Sequence, residues 1–426
     1  MTNAEAQSVG VPIVNFDSLP ERLTGSAAPF AIESLANEDA STQAKVHAAL
    51  AHIELVLKEA TTDPDVLAAP ADAMTARFQS FVAEQARQSG QVEPLLPGGH
   101  AVKFSRDEWA KWAFEFVRAW ITKEWNPHGF LPPPAAPEQA DDQLRLALFS
   151  DWGTGLYGAP HISEAIANEA RAADYVIHLG DVYYTGFDNE IALNLVADWP
   201  KGGAVGRALN GNHEMYSGGG GYFSKALPAL AQPSSVFAIQ NNSWLVVGLD
   251  SAYDDWDLGQ GQVNWLNTLL AQAGSRRLVL LTHHQPFSNT SSEQGPKLQA
   301  KLAQLLHDQR IFAWYWGHEH ICAIYDKHPL WSVHGRCIGN GGMPEVRKDY
   351  RTLPAEKTAE GVGFYRLPGV GMNPSCLALD GPNEWIIGHE EKYVAHGYLT
   401  IDINGGHLTE TYRDSRGKEL HAIELA

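Results

Sequence analysis

Five short apolar runs of this sequence each end in side chains that can bind a metal ion. They deliver Asp151 after "LRLALFS", Asp181 after "YVIHLG", Asn212 and His213 in "GNHE", His283 and His284 in "LTHH", and His318 and His320 in "GHEH". Taken singly, each has a dull reading: a strand-end aspartate caps the next helix, Asn-His makes a turn, and a lone histidine is a satisfied polar residue. Together they mix carboxylates, imidazoles and one amide oxygen, donors that suit borderline or hard divalent and trivalent cations rather than Cu(I) or iron–sulfur clusters. The set exceeds what one tetrahedral site needs, which points to two metals sharing a bridging ligand.

Such a set works only if the chain brings the run ends together. The runs alternate with helical stretches such as "GAPHISEAIANEARAAD" and "GQVNWLNTLLAQAG", the pattern of a layered α/β fold. In open α/β sheets, sites assemble where strands deliver their C-terminal ends, so these run ends are expected to line one crevice. Two turns, at Asn404-Gly405 and near Arg416-Gly417, predict three antiparallel strands at the C-terminus.

Residues 1–130 read as a helical region, with core-facing stripes at Val46, Ala49, Leu50, Ile53 and Val56 and at Met74, Phe78, Phe81 and Val82. A further helix is expected from Ser105, with Glu108 completing a capping box. It would set Trp109, Trp112, Phe116 and Trp120 on one face, as packing against the neighbouring domain rather than as a ligand site. The segment 131–143, "LPPPAAPEQADDQ", reads as a stiff, exposed linker, leaving 144–426 as the catalytic domain with the C-terminal strands. The loops "YSGGGGY" and "GNGGMPE" are read as rim or plain turns, and the stretch from Pro344 to Glu391 as a lid, a specificity insertion or a structural excursion.

Composition narrows the function. The 426 residues, 44% hydrophobic, suffice for a buried core. A formal charge of −19 without a Lys/Arg-rich run argues against a nucleic-acid partner. Cys322, Cys337 and Cys376 are too scattered for a disulfide framework or a thiolate zinc site, and Met343 stands where a thiol phosphatase would need arginine after Cys337. There is no membrane-span run and no basic n-region with an apolar h-region at the start, so a cytoplasmic protein is expected. Neither a G-x-x-x-x-G-K-[ST] loop nor a G-x-S-x-G elbow occurs, so no phosphate loop or serine nucleophile competes with the metal reading.

The ordered blocks "DWG", "GDVYY", "GNHE", "LTHH" and "GHEH" resemble the calcineurin-like metallophosphoesterase superfamily, and within it the purple acid phosphatases. The resemblance spans Asp151 to His320 and implies a four-layer α/β/β/α sandwich carrying a dinuclear metal centre. Most of the superfamily begins with D-x-H; purple acid phosphatases instead have glycine there, Gly153 in this chain, and a tyrosine three residues after the bridging aspartate, here Tyr184. Carried over by position, the resemblance implies a first metal on Asp151, Asp181, Tyr184 and His320, with the phenol of Tyr184 over the space that Gly153 leaves. It implies a second on Asp181, Asn212, His283 and His318. Distance to Pro286 would select His284 instead of His283, whereas strand register favours His283 and leaves the other histidine facing substrate or solvent.

Fe(III) is implied at the tyrosinate site, with Fe(II), Zn(II) or Mn(II) at the second. The implied activity is hydrolysis of a small phosphate ester by a metal-bound hydroxide, with His213 contacting the phosphoryl oxygens and serving as acid. A phosphodiesterase of the same superfamily and a non-catalytic, metal-stabilised interaction protein are the alternatives. The chain departs from secreted purple acid phosphatases in its helical leader and in "NTSSEQGP", which lacks the substrate-binding histidines of the plant type.

Overall fold

Leu144, Leu146 and Leu148 alternate with Ala147 and Phe149 along the strand Gln143–Phe149, and both sets are buried, in two different cores. A strand apolar on both faces must lie inside a layered structure. That is its place in the computed structural model of the chain, which describes residues 10–14, 39–60, 63, 65–94, 100–102, 112, 116–117, 120, 126–348, 350, 353–359 and 361–426.

Gln143–Phe149 runs parallel to Tyr175–His178, which runs parallel to Val205–Ala208. On its other edge Gly397–Asn404 pairs antiparallel, followed by His407–Asp414 and Glu419–Glu424, completing a six-stranded sheet. The two expected C-terminal hairpins are these last three strands. In a second sheet of ten strands, the parallel centre is Trp244–Gly248, Arg277–Leu281, Ile311–Trp316 and His334–Ile338.

The inner faces of the two sheets form one core, with Leu146, Ile177 and Ile401 against Val246, Leu281 and Tyr315. Helix Gln260–Gln272 packs Leu266 and Leu269 on the outer face of the ten-stranded sheet, and helix Ala159–Ala167 packs Ile162 and Ile166 on that of the six-stranded sheet. The layers are therefore α/β/β/α. A buried ion pair ties the sheets: Arg336 Nε donates to Glu410 at 2.8 Å, and Glu410 also accepts from Tyr315 and Tyr412.

Within the stretch from Pro344 to Glu391, the strands Ala355–Ala359, Val362–Leu367 and Cys376–Asp380 extend the ten-stranded sheet at one edge, while Glu345 and Lys348 line the cavity described below. The segment 131–143 is only partly exposed. Pro134 accepts from the indole of Trp265, and Glu138–Gln139 adds a short strand at the other edge of the same sheet.

Two N-terminal helices are described, α1 (Ala40–Ala60) and α2 (Ala73–Ser89). Helix α2 is capped by Asp72, which accepts from Thr75 N–H at 2.8 Å, and ends at Gly90. Val46, Leu50, Ile53 and Leu57 of α1 meet Phe78, Val82 and Ala86 of α2 in a core that also contains Tyr183, Tyr184 and Met343. The proposed capping residues Ser105 and Glu108, and Trp109, lie outside the described residues; Trp112 and Phe116 are buried and Trp120 is half-buried. The helical region thus packs directly on the segment that carries Asp181.

Candidate metal centre

Each ligand-bearing run stops being a strand two to four residues before the first residue that matters. Asp151, Asp181, His318 and His320 have φ of 54°, 75°, 68° and 52°, the left-handed region that costs a non-glycine residue on the order of 1–3 kcal/mol. Long-range hydrogen bonds hold these bends. Asp151 N–H donates to the Gly180 carbonyl at 3.0 Å, and His318 N–H donates to Asp151 Oδ2 at 2.8 Å. The side chains turn off the sheet into a common crevice, where Asp151, Asp181 and His283 bring ligand atoms within 4.8 Å of one another.

Asp181 faces two groups. Its Oδ1 accepts from His213 N–H at 3.1 Å and lies 3.4 Å from His283 Nε2; its Oδ2 lies 3.3 Å from the hydroxyl of Tyr183. Around that hydroxyl also stand Asp151 Oδ1 at 3.2 Å and His320 Nε2 at 3.0 Å. On the other side, Asn212 Oδ1 lies 2.9 Å from both His283 Nε2 and His318 Nδ1.

The tyrosine assignment is corrected by one residue. The hydroxyl of Tyr184 faces away from the crevice, accepting from Val14 N–H at 2.8 Å and reaching the Pro12 carbonyl at 3.3 Å. Tyr183 supplies the phenol beside Asp151. Val182 bridges Gly153 in parallel, so its neighbours Asp181 and Tyr183 share one side, while Val182 enters the core with Trp152. The space beside Gly153 is not filled by a phenol either: a Cβ there would stand 2.8 Å from Val182 Cα, so this glycine is what lets the two segments touch. The spacing of two from Asp181 was the sequence signal that distinguished Tyr183.

Among the two histidines of "LTHH", His283 has the geometry of a ligand. Its Nδ1 donates to the Leu179 carbonyl at 3.0 Å, leaving Nε2 bare toward Asn212 and Asp181. His284 is fully buried, so it does not face solvent. Its Nδ1 pairs with Ser251 Oγ at 3.1 Å, its ring lies against Trp256, and its Nε2 has no hydrogen-bond partner among the described residues. A ligand atom of His284 does lie within 4.8 Å of those of His283 and His318.

The donors present fit a cation pair. Asn212 Nδ2 donates to the Tyr216 hydroxyl at 2.9 Å, which turns Oδ1 inward. With Nε2 of His318 directed at Glu293 Oε2, 3.2 Å away, its Nδ1 faces Asn212 Oδ1 at 2.9 Å and His283 Nε2 at 3.3 Å. Burial pushes His283 down to about 4 and His320 to about 3, so both imidazoles are neutral at neutral pH. The bare Nε2 of His283 therefore faces the oxygens of Asn212 and Asp181 with no proton of its own, and a cation resolves that arrangement. Two buried carboxylates, Asp151 and Asp181, add the same demand: burial and the charge of Asp181 push Asp151 well above the usual carboxylate range.

His213 stands behind this group. Its Nδ1 donates to the Tyr184 carbonyl at 2.6 Å, so Nε2 points inward, 4.0 Å from Asp181 Oδ2. Close approach also explains "GNH": a Cβ on Gly211 would collide with the carboxylate of Asp181. The centre opens into a cavity of about 400 Å³ lined by Asp181, Asn212, His213, His318 and His320. Glu345, at the end of the loop "GNGGMPE" read as rim, lines the cavity too, whereas sequence reasoning missed Ala69 and Ala71 of the helical region, Thr290 to Glu293, and Lys348, whose Nζ donates to the Thr290 carbonyl at 2.7 Å.

Residues 144–322 match the calcineurin-like phosphoesterase family. This segment is a metallophosphoesterase domain. The superfamily uses dinuclear metal centres, and the metallophosphoesterase domain here places a matching donor set at its strand ends. Among solved structures, a purple acid phosphatase from yellow lupin (Lupinus luteus) seeds is 15% identical with a TM-score of 0.49, over 69% of this chain and 55% of the lupin chain. The present chain thus spans about half the length of that enzyme. An anchor protein of the inner membrane complex of Plasmodium is 12% identical with a TM-score of 0.46, over 66% of this chain and 88% of its own. A dimetal phosphatase from Danio rerio is 12% identical with a TM-score of 0.39, over 66% of this chain and 98% of its own. No curated protein matches the chain in sequence. Among the described residues, no helix is long and apolar enough to cross a membrane.

Proposed function

We propose that this chain is a dinuclear metal-dependent phosphomonoesterase acting on a small phosphate ester. The first metal is assigned to Asp151, Asp181, Tyr183 and His320, and the second to Asp181, Asn212, His283 and His318. The observation that carries the reading is that the phenol of Tyr183 and Nε2 of His283 meet the two oxygens of Asp181, with Asn212 and His318 beside His283. A phenol with two carboxylates and one imidazole is a hard set, which favours Fe(III) at the first position over the Fe(II), Zn(II) or Mn(II) suited to the second.

A metal pair supplies Lewis-acid activation of water and of the phosphoryl group. The chain supplies the geometry. Asp181 holds both positions in register, and the Asn212–Tyr216 hydrogen bond keeps the amide oxygen inward. Lys348 brings an ammonium to the same cavity and offsets phosphate charge. His213, fixed through Nδ1, presents Nε2 to the phosphoryl oxygens, where the negative charge of the ester favours its protonated form and lets it pass a proton to the departing alcohol. Three free, buried cysteines suit a reducing compartment, and the cytoplasm is the proposed location.

The test combines metal analysis, the visible spectrum, and turnover of a phosphate monoester against a diester by the metal-replete protein. A tyrosinate-to-Fe(III) band that vanishes in Tyr183→Phe and survives in Tyr184→Phe is the expected result. Absence of turnover with both metals bound would reject the enzyme reading in favour of a metal-stabilised scaffold; faster diester turnover would reject the monoesterase.

A further inference from the structure

A second cavity adjoins the metal centre and differs from it in chemistry. Its volume is about 660 Å³, within the range of small-molecule sites, and Asn212 lines both cavities. The helical region contributes Ala73, Phe81, Phe116 and Trp120 to one wall; the metallophosphoesterase domain contributes Phe187 and Met215 to the other. Among the described residues of its lining, the full charges are Arg77 and Asp255. Arg77 is committed to structure: its guanidinium bonds the Tyr216 carbonyl and lies 4.7 Å from the ring centroid of Trp120.

This cavity has no charge to spare for a phosphate, whereas the neighbouring one holds the donor set and Lys348. Among the described residues, the two share Asn212, a ligand assigned to the second metal. We propose that the apolar cavity receives the alcohol part of the substrate, and that the enzyme acts on phosphate esters of bulky apolar or aromatic alcohols. The inference rests on the phosphomonoesterase reading above. It also accounts for the helical region, which closes a leaving-group pocket that the metallophosphoesterase domain alone leaves open on one side.

The phosphoryl group would lie between Asp181, His213 and Lys348, with the ester oxygen directed past Asn212. Hydrolysis then breaks the phosphorus–oxygen bond to the alcohol and forms one to water; the alcohol leaves with a proton and inorganic phosphate remains. The apolar wall adds binding energy in proportion to the hydrocarbon area it covers.

Phenyl phosphate and 2-naphthyl phosphate test this, because their phenols are similarly acidic and differ by one fused ring. With metal-replete, full-length protein, kcat/KM should favour the naphthyl ester about tenfold, mostly through KM. Free 2-naphthol should bind saturably and compete with that ester. In Ala73→Trp, which fills the cavity, both effects should disappear, with a melting curve confirming that the variant folds. Should it fail to fold, photo-crosslinking of the wild type by benzophenone 4-phosphate locates the site, with label expected on the peptides carrying Ala73 to Phe81 or Met215. Equal efficiency on both esters without naphthol binding, or label elsewhere, would overturn the pocket and leave the phosphatase intact. Naphthol binding at this place without turnover of any ester would instead sink the reaction and keep the ligand class.

Discussion

The main-chain carbonyl of Tyr184 accepts a 2.6 Å hydrogen bond from Nδ1 of His213, while the phenol of the same tyrosine accepts from Val14 in the helical region. One residue therefore aims the candidate acid and anchors the N-terminal segment. In Tyr184→Phe the buried Val14 N–H loses its partner, for an expected destabilisation of about 1–3 kcal/mol at unchanged metal content. Tyr183→Phe should do the reverse, lowering affinity for the first metal with a small change in melting temperature. Denaturant melts and metal analysis of the two variants separate these outcomes.

His213→Asn should keep both metals and lower kcat by about 10²–10⁴-fold, the range for loss of a positioned acid or base. If metal content falls in parallel with kcat, the histidine is a structural support of Asp181 and not a participant.

Asn212→Ala removes the amide oxygen shared by His283 and His318. The expected protein binds about one metal per chain, because the second position alone depends on Asn212. Chelation of the wild type should lower its melting temperature, since it leaves the carboxylates of Asp151 and Asp181 buried together, and re-addition of cation should restore it. A melting temperature indifferent to chelation would count against a resident metal pair.

Burial pushes His178 down to about 3 and His396 down to about 4. In the unfolded chain each takes up a proton near pH 6.5, so between about pH 6.5 and 4 these two histidines bind more protons in the unfolded state. Their contribution to stability is full above that window and is lost as the pH falls through it, while the buried carboxyl of Asp250, pushed up to about 6, works in the opposite direction. On going from about pH 7.5 to about pH 5, the melting temperature of metal-free His396→Asn should therefore shift upward relative to that of the wild type. An identical pH dependence in the two proteins would show that His396 does not contribute.

The strand-end ligands were legible because their signal is local: an apolar run, a glycine turn and a polar terminus occupy only a few residues, and a layered α/β fold delivers such termini to one edge. The C-terminal hairpins were legible from Asn404-Gly405 and Arg416-Gly417 for the same reason. The stretch from Pro344 to Glu391 was not, because its Pro and Gly punctuation hides strands stabilised by neighbours such as Cys322–Tyr325.

Sequence by itself thus determined the donor types, their order, and the α/β scaffold that gathers them. Tertiary structure decided which tyrosine enters the crevice, which nitrogen of His283 is left bare, and that the helical region walls an apolar cavity at Asn212. Those choices depend on backbone bends at Asp151, Asp181 and His318 and on partners such as Leu179 and Val14, each contributed by distant parts of the chain. Side-chain direction at a strand's end is set by those distant hydrogen bonds, and spacing along the sequence does not carry them.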